Sequence, residues 1–171
     1  MDNNNEYTTD KDDAFLKLFK QYEKDVYRIA YVYLKNKSDA LDIVQETAYK
    51  TYLKFETLEK ESSLKSWIIK TAINSAIDLL RKNKKIISIE TKNIKSIFVE
   101  NDISLSISLQ NLLTLINEDE KTVLLLKYYQ GYTFKEISEF LDIPISTVKS
   151  GLYKSLKKMR KYSRRSDFYG F

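Results

Sequence analysis

The stretch Thr133 to Arg165 reads TFKEISEFLDIPISTVKSGLYKSLKKMRKYSRR, and the rest of the chain is read outward from it. Thr133 and Glu136 have the spacing of a capping box, in which a hydroxyl and a carboxylate satisfy free N–H groups at a helix start. Ile137, Phe140 and Leu141 then share one face at helical spacing. Pro144 closes the turn at Asp142-Ile143-Pro144, because it lacks an N–H and forces its predecessor to be extended. Ser146 is expected to cap the next helix. In that helix Val148, Leu152, Leu156 and Met159 recur on a core-facing side, leaving Lys149, Ser150, Tyr153, Lys154 and Lys157 on the other. Gly131 suits the end of the helix before, since glycine takes a left-handed conformation without steric cost. Two short helices across a tight turn are the sequence form of a helix-turn-helix, a motif whose second helix docks in the DNA major groove.

The charge pattern supports a nucleic-acid ligand. Lys149, Lys154, Lys157, Lys158, Arg160, Lys161, Arg164 and Arg165 follow one another with no acid among them. A charge run by itself is most often a solvated face. This one lies on the candidate recognition helix and its extension, where clustered positive charge gains affinity for phosphates by counterion release.

Composition narrows the classes further. The chain has 171 residues, 43% hydrophobic and 31% charged, with a net charge of +5, which is room for one ordinary domain or two small ones. Three glycines and one proline are too few for the turns of an all-β sandwich or barrel. There are no cysteines and no histidines, which excludes disulfides and thiolate metal sites and removes the commonest general base. With no phosphate-binding loop and no carboxylate cluster at metal spacing, an enzyme is not expected, and neither is a cofactor or a small-molecule substrate. The start MDNNNEYTTDKDD lacks the basic and apolar regions of a signal peptide. No apolar run approaches the roughly 18 residues of a membrane span, so a cytoplasmic location is expected.

Helical periodicity is almost unbroken from 12 to 85, fades over 86–105, and returns over 106–162. These bounds give an expected all-α chain of two small helical domains on a flexible linker, with residues 1–11 and 163–171 as unstructured ends. In the first domain Phe15, Leu18, Phe19, Tyr22, Val26, Ile29, Ala30 and Tyr33 mark a long apolar face. Asn36-Lys37-Ser38 reads as a break, with Ser38 or Asp39 capping the next helix. That helix carries Ala40, Ile43, Val44, Thr47, Ala48 and Leu53, and shows Asp39, Asp42, Gln45, Glu46 and Lys50 on its polar side. A polar connection over Phe55 to Ser63 precedes a helix expected over 64–82. There Lys70, Asn74, Asp78 and Arg81 stack along one side. The linker reads as a mostly extended tether, although Ile86, Ile87, Ile94, Ile97, Phe98 and Val99 are apolar enough to pack against something.

Three strings in order carry a family resemblance: DALDIVQETAYKTY at Asp39 to Tyr52, SWIIKTAINSAIDLLRKNKK at Ser66 to Lys85, and LLLKYYQGYTFKEISEFLDIPISTVKSGLYKSLKKMR at Leu124 to Arg160. With the weakly patterned linker between them, they resemble the sigma-70 family of transcription initiation factors, in its extracytoplasmic function group. The resemblance covers most of the chain. It implies that the first domain is sigma region 2 and the second region 4. It implies docking of Asp39, Asp42, Gln45 and Glu46 on the clamp helices of core RNA polymerase, with region 4 near the flap. The connection over Phe55 to Ser63 corresponds to the loop that captures a flipped −10 base. Lys70, Asn74, Asp78, Arg81 and Lys82 fall on the helix holding the −10 strand, a basic and amide track of the kind single strands need. Trp67 belongs to the apolar pattern and is read as core. Ser146, Thr147, Lys149, Ser150, Tyr153, Lys154 and Lys157 fall at the −35 element, with helix-start N–H groups and hydroxyls suited to phosphate and longer side chains to base edges. An anti-sigma factor, often membrane-bound, is also implied. Two positions depart from the pattern: Gly151 where an arginine is common, and Ile73 where an arginine often precedes Asn74. The alternative reading of the same residues is a stand-alone helix-turn-helix regulator whose first domain dimerises or senses a signal. A purely structural helical adaptor leaves the basic helix without a use.

Overall fold

In the computed structural model the described residues, 4–57, 61–90 and 107–166, form helices and short connections with no strand among them. They divide into two units, Met1–Val99 and Glu100–Phe171.

The first unit packs α1 (Asn4–Leu34), α2 (Lys37–Lys54) and α3 (Glu61–Glu90) against one another, each touching the other two. Its core follows from spacing. Val26, Ile29, Ala30 and Tyr33 of α1 meet Ala40, Ile43, Val44 and Thr47 of α2 and Ile68, Ile69, Ala72, Ile73 and Ala76 of α3, all buried. Each fully buried large aliphatic stabilises by roughly 1.5–3 kcal/mol relative to exposure, so this interface carries most of the unit's stability. At one end Phe15 stacks on Phe19 and takes the rings of Tyr52 and Phe55 edge-on at 5.2 and 5.6 Å.

Several boundaries differ from expectation. Helix α1 begins at Asn4, inside the stretch 1–11 expected to be unstructured. Near that start Asp12 accepts a hydrogen bond from Tyr52 Oη at 2.7 Å, and Lys11 pairs with Glu56 at 3.0 Å. The α1–α2 break falls one residue early. Lys35 takes the left-handed conformation at φ 53°, and Asn36, not Ser38 or Asp39, caps α2 by accepting from the Asp39 amide at 3.0 Å. The Asn36 side-chain oxygen reaches the amide three residues on, so Asp39 supplies the capped N–H rather than the cap. Leu53, expected on the apolar face, is 61% exposed, because Thr51 and not Leu53 continues the buried row of Val44 and Thr47 at helical spacing. Phe55–Thr57 form a 3-10 turn, and α3 starts at Glu61, so the tip of the expected 55–63 connection lies outside the described residues. Helix α3 continues to Glu90 and absorbs 86–90 of the expected linker, while 91–106 lie outside the described residues.

The second unit holds α4 (Ile107–Leu113), α5 (Glu118–Leu124) with a π-helical turn at Leu125–Tyr129, α6 (Phe134–Leu141) and α7 (Ile145–Ser166). Leu113, Ile116, Val123, Leu126, Ile137, Phe140, Val148 and Leu152 form its core. Helix α7 runs through Ser166, past the expected end at 162, since nothing in the basic run Lys157 to Arg165 interrupts it.

Candidate functional site

The helix-turn-helix is fixed by hydrogen bonds that the sequence supplies locally. Gly131 sits at φ 75°, a conformation costly for any residue with a Cβ. Thr133 and Glu136 make both bonds of the capping box, at 2.7 and 3.2 Å. The bond from the Thr133 amide, and after it the Thr133 side chain, hold the Glu136 carboxyl below its usual range. The tight turn is closed by Ser138, whose carbonyl accepts from the Ile143 amide at 3.1 Å while its hydroxyl donates back to the Ile143 carbonyl at 2.5 Å. Asp142 absorbs the reversal in the left-handed region at φ 54°. Helix α7 then starts earlier than expected. Pro144 supplies the capping carbonyl, accepting from Thr147 and Val148 at 2.9 and 3.1 Å, so Ser146 lies in the first turn and is not the N-cap. Proline suits this place because it needs no N–H of its own.

This geometry sorts the side chains of α7. Val148, Leu152 and Ser155 are buried, whereas Ser146, Thr147, Lys149, Ser150, Tyr153, Lys154 and Lys157 are all exposed on the outer side. Lys158 departs from the basic face. It turns inward and gives the buried Glu120 of α5 two contacts of 2.8 Å. Burial raises the Glu120 carboxyl, but the hydrogen bonds from Lys158 and from the Asn117 amide outweigh it and leave the group below its usual range.

In the first unit the residues of the α2 polar side separate into two kinds. Asp42 and Gln45 are exposed. Glu46 is partly committed: Lys50 donates to it, Ser75 of α3 donates at 3.0 Å, and Lys50 also reaches Ser75 at 3.1 Å. The bond from Lys50 is the main reason its carboxyl sits low. Asp39 is half-buried and accepts from Asn83 of α3 at 3.4 Å. Sequence reasoning passed over Leu41 and Tyr49 and assigned Leu53 to the apolar face; all three are exposed on this same helix and add an apolar element to the acidic and amide groups. Their four-residue spacing from Gln45 was the available signal. On α3, Lys70, Asn74, Asp78, Arg81 and Lys82 are all exposed, and Ile73 is buried in the core. Trp67 is half-buried, its indole N–H enclosed with no acceptor among the described residues. Among those residues there is also no group of three acids that could hold a metal, and no helix long and apolar enough to cross a membrane.

A chain that carries a three-helix unit and, separately, a capped helix-turn-helix with a basic outer face defines a DNA-binding transcription protein. Comparison with known proteins narrows the class. Residues 18–86 match the family Sigma-70 region 2, and residues 106–159 match Sigma-70, region 4. RNA polymerase sigma factor SigV of Bacillus subtilis (strain 168) is 35% identical over 147 residues, spanning 85% of this chain and 89% of that protein. The ECF RNA polymerase sigma factor SigW of the same organism is 27% identical over 168 residues, spanning 89% and 90%. Among solved structures, the sigma factor RpoE in complex with the anti-sigma factor NepR from Bartonella quintana has a TM-score of 0.73 at 18% identity, covering 88% of this chain and 97% of that one. At that identity the likeness speaks for the fold. The chain belongs to the extracytoplasmic function group of the sigma-70 family of RNA polymerase sigma factors.

Proposed function

We propose that this sigma factor works by dividing its labour between the two units. In region 2, the exposed Asp42 and Gln45, with Asp39, Glu46 and the apolar Leu41, Tyr49 and Leu53 beside them, dock on a basic surface of core RNA polymerase, the clamp helices. Lys70, Asn74, Asp78, Arg81 and Lys82 track the single strand of the −10 element. In region 4, Ser146 and Thr147 hold phosphate at the start of α7, Lys149, Ser150, Tyr153 and Lys154 face the −35 bases, and Lys157 meets the backbone, with this unit near the polymerase flap. The observation that carries the reading is the sorting of α7, a buried apolar face against an outer face with several lysines and no acid. Major-groove readers need that arrangement, since phosphate contacts orient the helix and base contacts specify the site.

The protein contributes binding and strand separation rather than bond chemistry, and works in the cytoplasm. The RpoE of Bartonella quintana was solved with an anti-sigma factor, and an anti-sigma factor, possibly membrane-anchored, masks the faces above in this protein too. The decisive experiment is run-off transcription with purified bacterial core polymerase on a pool of promoter fragments, with and without the protein. Discrete transcripts that depend on the protein are expected, and their upstream sequences give the −35 and −10 preferences. No transcripts, together with tight duplex binding by the free protein, refutes the sigma reading in favour of a stand-alone regulator.

A further inference from the structure

Phe134 opens helix α6 directly behind the Thr133 cap, and its half-buried ring receives cations from two other elements. The Lys127 ammonium, from the π-helical turn, lies 4.8 Å from the ring centroid. The Lys149 ammonium, from the first turns of α7, lies 5.5 Å from it. Lys127 also donates to the Tyr132 carbonyl at 3.2 Å, which fixes it on the near side of the cap. Glu136, whose carboxylate feels the Lys127 charge, is already committed to the Thr133 amide. The two ammoniums are therefore at most about 10 Å apart on one ring, and neither forms an ion pair with a carboxylate among the described residues. Two like charges at that distance repel, and the electron-rich face of an aromatic ring is what offsets the repulsion.

We propose that Phe134 is a positioning residue for promoter recognition: its ring holds the Lys149 side chain in place before DNA arrives. The proposal rests on the reading of α7 as the helix that meets the −35 element. A free lysine carries rotamer entropy that binding must overcome. A lysine already resting on a ring has lost part of that freedom in advance, so its contact to DNA is tighter. Lys127, the second cation on the ring, adds positive potential beside the groove without touching bases.

The test uses the full chain assembled with core polymerase, on a duplex carrying a −35 sequence recovered by run-off transcription. Phe134→Leu removes the ring at similar bulk, and Phe134→Tyr keeps it. The Leu variant is expected to weaken −35-dependent binding roughly two- to fivefold, as loss of an exposed cation–π contact predicts, with the Tyr variant close to the parent. In a Lys149→Ala background the Leu change is expected to have no further effect. In the DNA-free protein, the Lys149 ε-methylene protons should show an upfield ring-current shift by NMR that the Leu variant loses and the Tyr variant keeps. A Leu effect of equal size in the Lys149→Ala background would mean that the ring only supports the fold, and overturns the proposal. So does unchanged binding by the Leu variant after the ring-current shift is lost. If Lys149→Ala itself leaves promoter binding intact, the assignment of Lys149 to the DNA fails, and the positioning role fails with it.

Discussion

Replacing Glu120 with alanine tests how the second unit holds its recognition helix. The Glu120 side chain is 5% exposed and has two obligations. It accepts from the Asn117 amide at 3.0 Å as half of a capping box at the start of α5, and it takes both contacts from Lys158 of α7. Loss of the box bond costs about 1 kcal/mol, by analogy with other helix caps. Loss of the charge-assisted pair costs about 1.5–3 kcal/mol. Lys158 is 38% exposed and can swing to water, which returns part of that cost. The net expectation is a destabilisation of about 2–3 kcal/mol. Lys158→Ala should cost at least as much, because it leaves a buried carboxylate without its cation. Glu120→Gln keeps the box and loses the charge, and should fall between these variants and the parent. A chain of two units is not a two-state system, so the measurement should be hydrogen exchange of α5 and α7 amides. Fluorescence of Trp67, the single tryptophan, reports α3 in the other unit and separates local from general loss. The pH dependence has a definite sign. The folded carboxyl sits below its ordinary value of 4.5, so the pair's contribution is complete above that pH and is lost as pH falls through the lower folded value. The gap between parent and Glu120→Gln should therefore narrow on acidification below 4.5 and stay constant from there to neutrality. An alanine variant within 0.5 kcal/mol of the parent, against the roughly 2–3 expected, refutes the idea that this pair ties α7 to α5.

The same substitution at two glycines should act with opposite signs. Gly131→Ala is expected to destabilise the second unit by about 1–2 kcal/mol by hydrogen exchange of its amides, because φ 75° strains an L side chain even in open space. Gly151→Ala, inside α7 with nothing near the new Cβ, is expected to stabilise by about 0.5–1 kcal/mol. Lys149→Ala combined with Lys154→Ala should reduce −35-dependent initiation about 30-fold or more, as the loss of two base or phosphate contacts predicts, while pull-down with core polymerase stays intact. Equal loss of polymerase binding would show that the double change had damaged the fold. Asp42→Lys should weaken core polymerase binding at least tenfold, since a like charge facing a basic surface costs more than a missing contact. An unchanged affinity in that variant would exclude Asp42 from the interface.

Where the sequence was legible, one physical rule dominated. The capping box of Thr133 and Glu136, the left-handed Gly131 and the buried Val148 and Leu152 are local consequences of side-chain chemistry and period. The three-helix core of the first unit follows from the same period in Val26, Ile29 and Ala30 and in Ile68, Ala72 and Ala76. What was not legible depends on partners far away in the chain. Lys158 belongs to a basic run by sequence, and only the folded unit brings it to Glu120, thirty-eight residues distant. Glu46 has Lys50 in reach four residues on, but only the fold brings Ser75 of α3 to the pair. Leu53 has the right residue type for the core and the wrong phase, since Thr51, fully buried, takes the core position in the last turn of α2. Helix ends shifted for a different reason. Polar stretches such as residues 4–11 and 163–166 carry no apolar period, yet no residue in them breaks a helix.

The π-helical turn at the end of α5 is a matter of phase. Its backbone closes through Gln130 N–H to the Leu125 carbonyl, one residue wider than the bond of an α-helix, and Tyr132 N–H then reaches the Leu126 carbonyl past Gly131, both at 2.9 Å. An α-helix advances about 100° per residue, so that additional residue rotates everything after it by about that much. Lys127, Gly131 and the whole of α6 owe their bearing relative to α5 to this single step. A one-residue deletion between Leu125 and Tyr129 would leave every cap, turn and hydrophobic residue of the helix-turn-helix in the sequence. It would also send the motif off in the wrong direction, a failure of indexing rather than of composition.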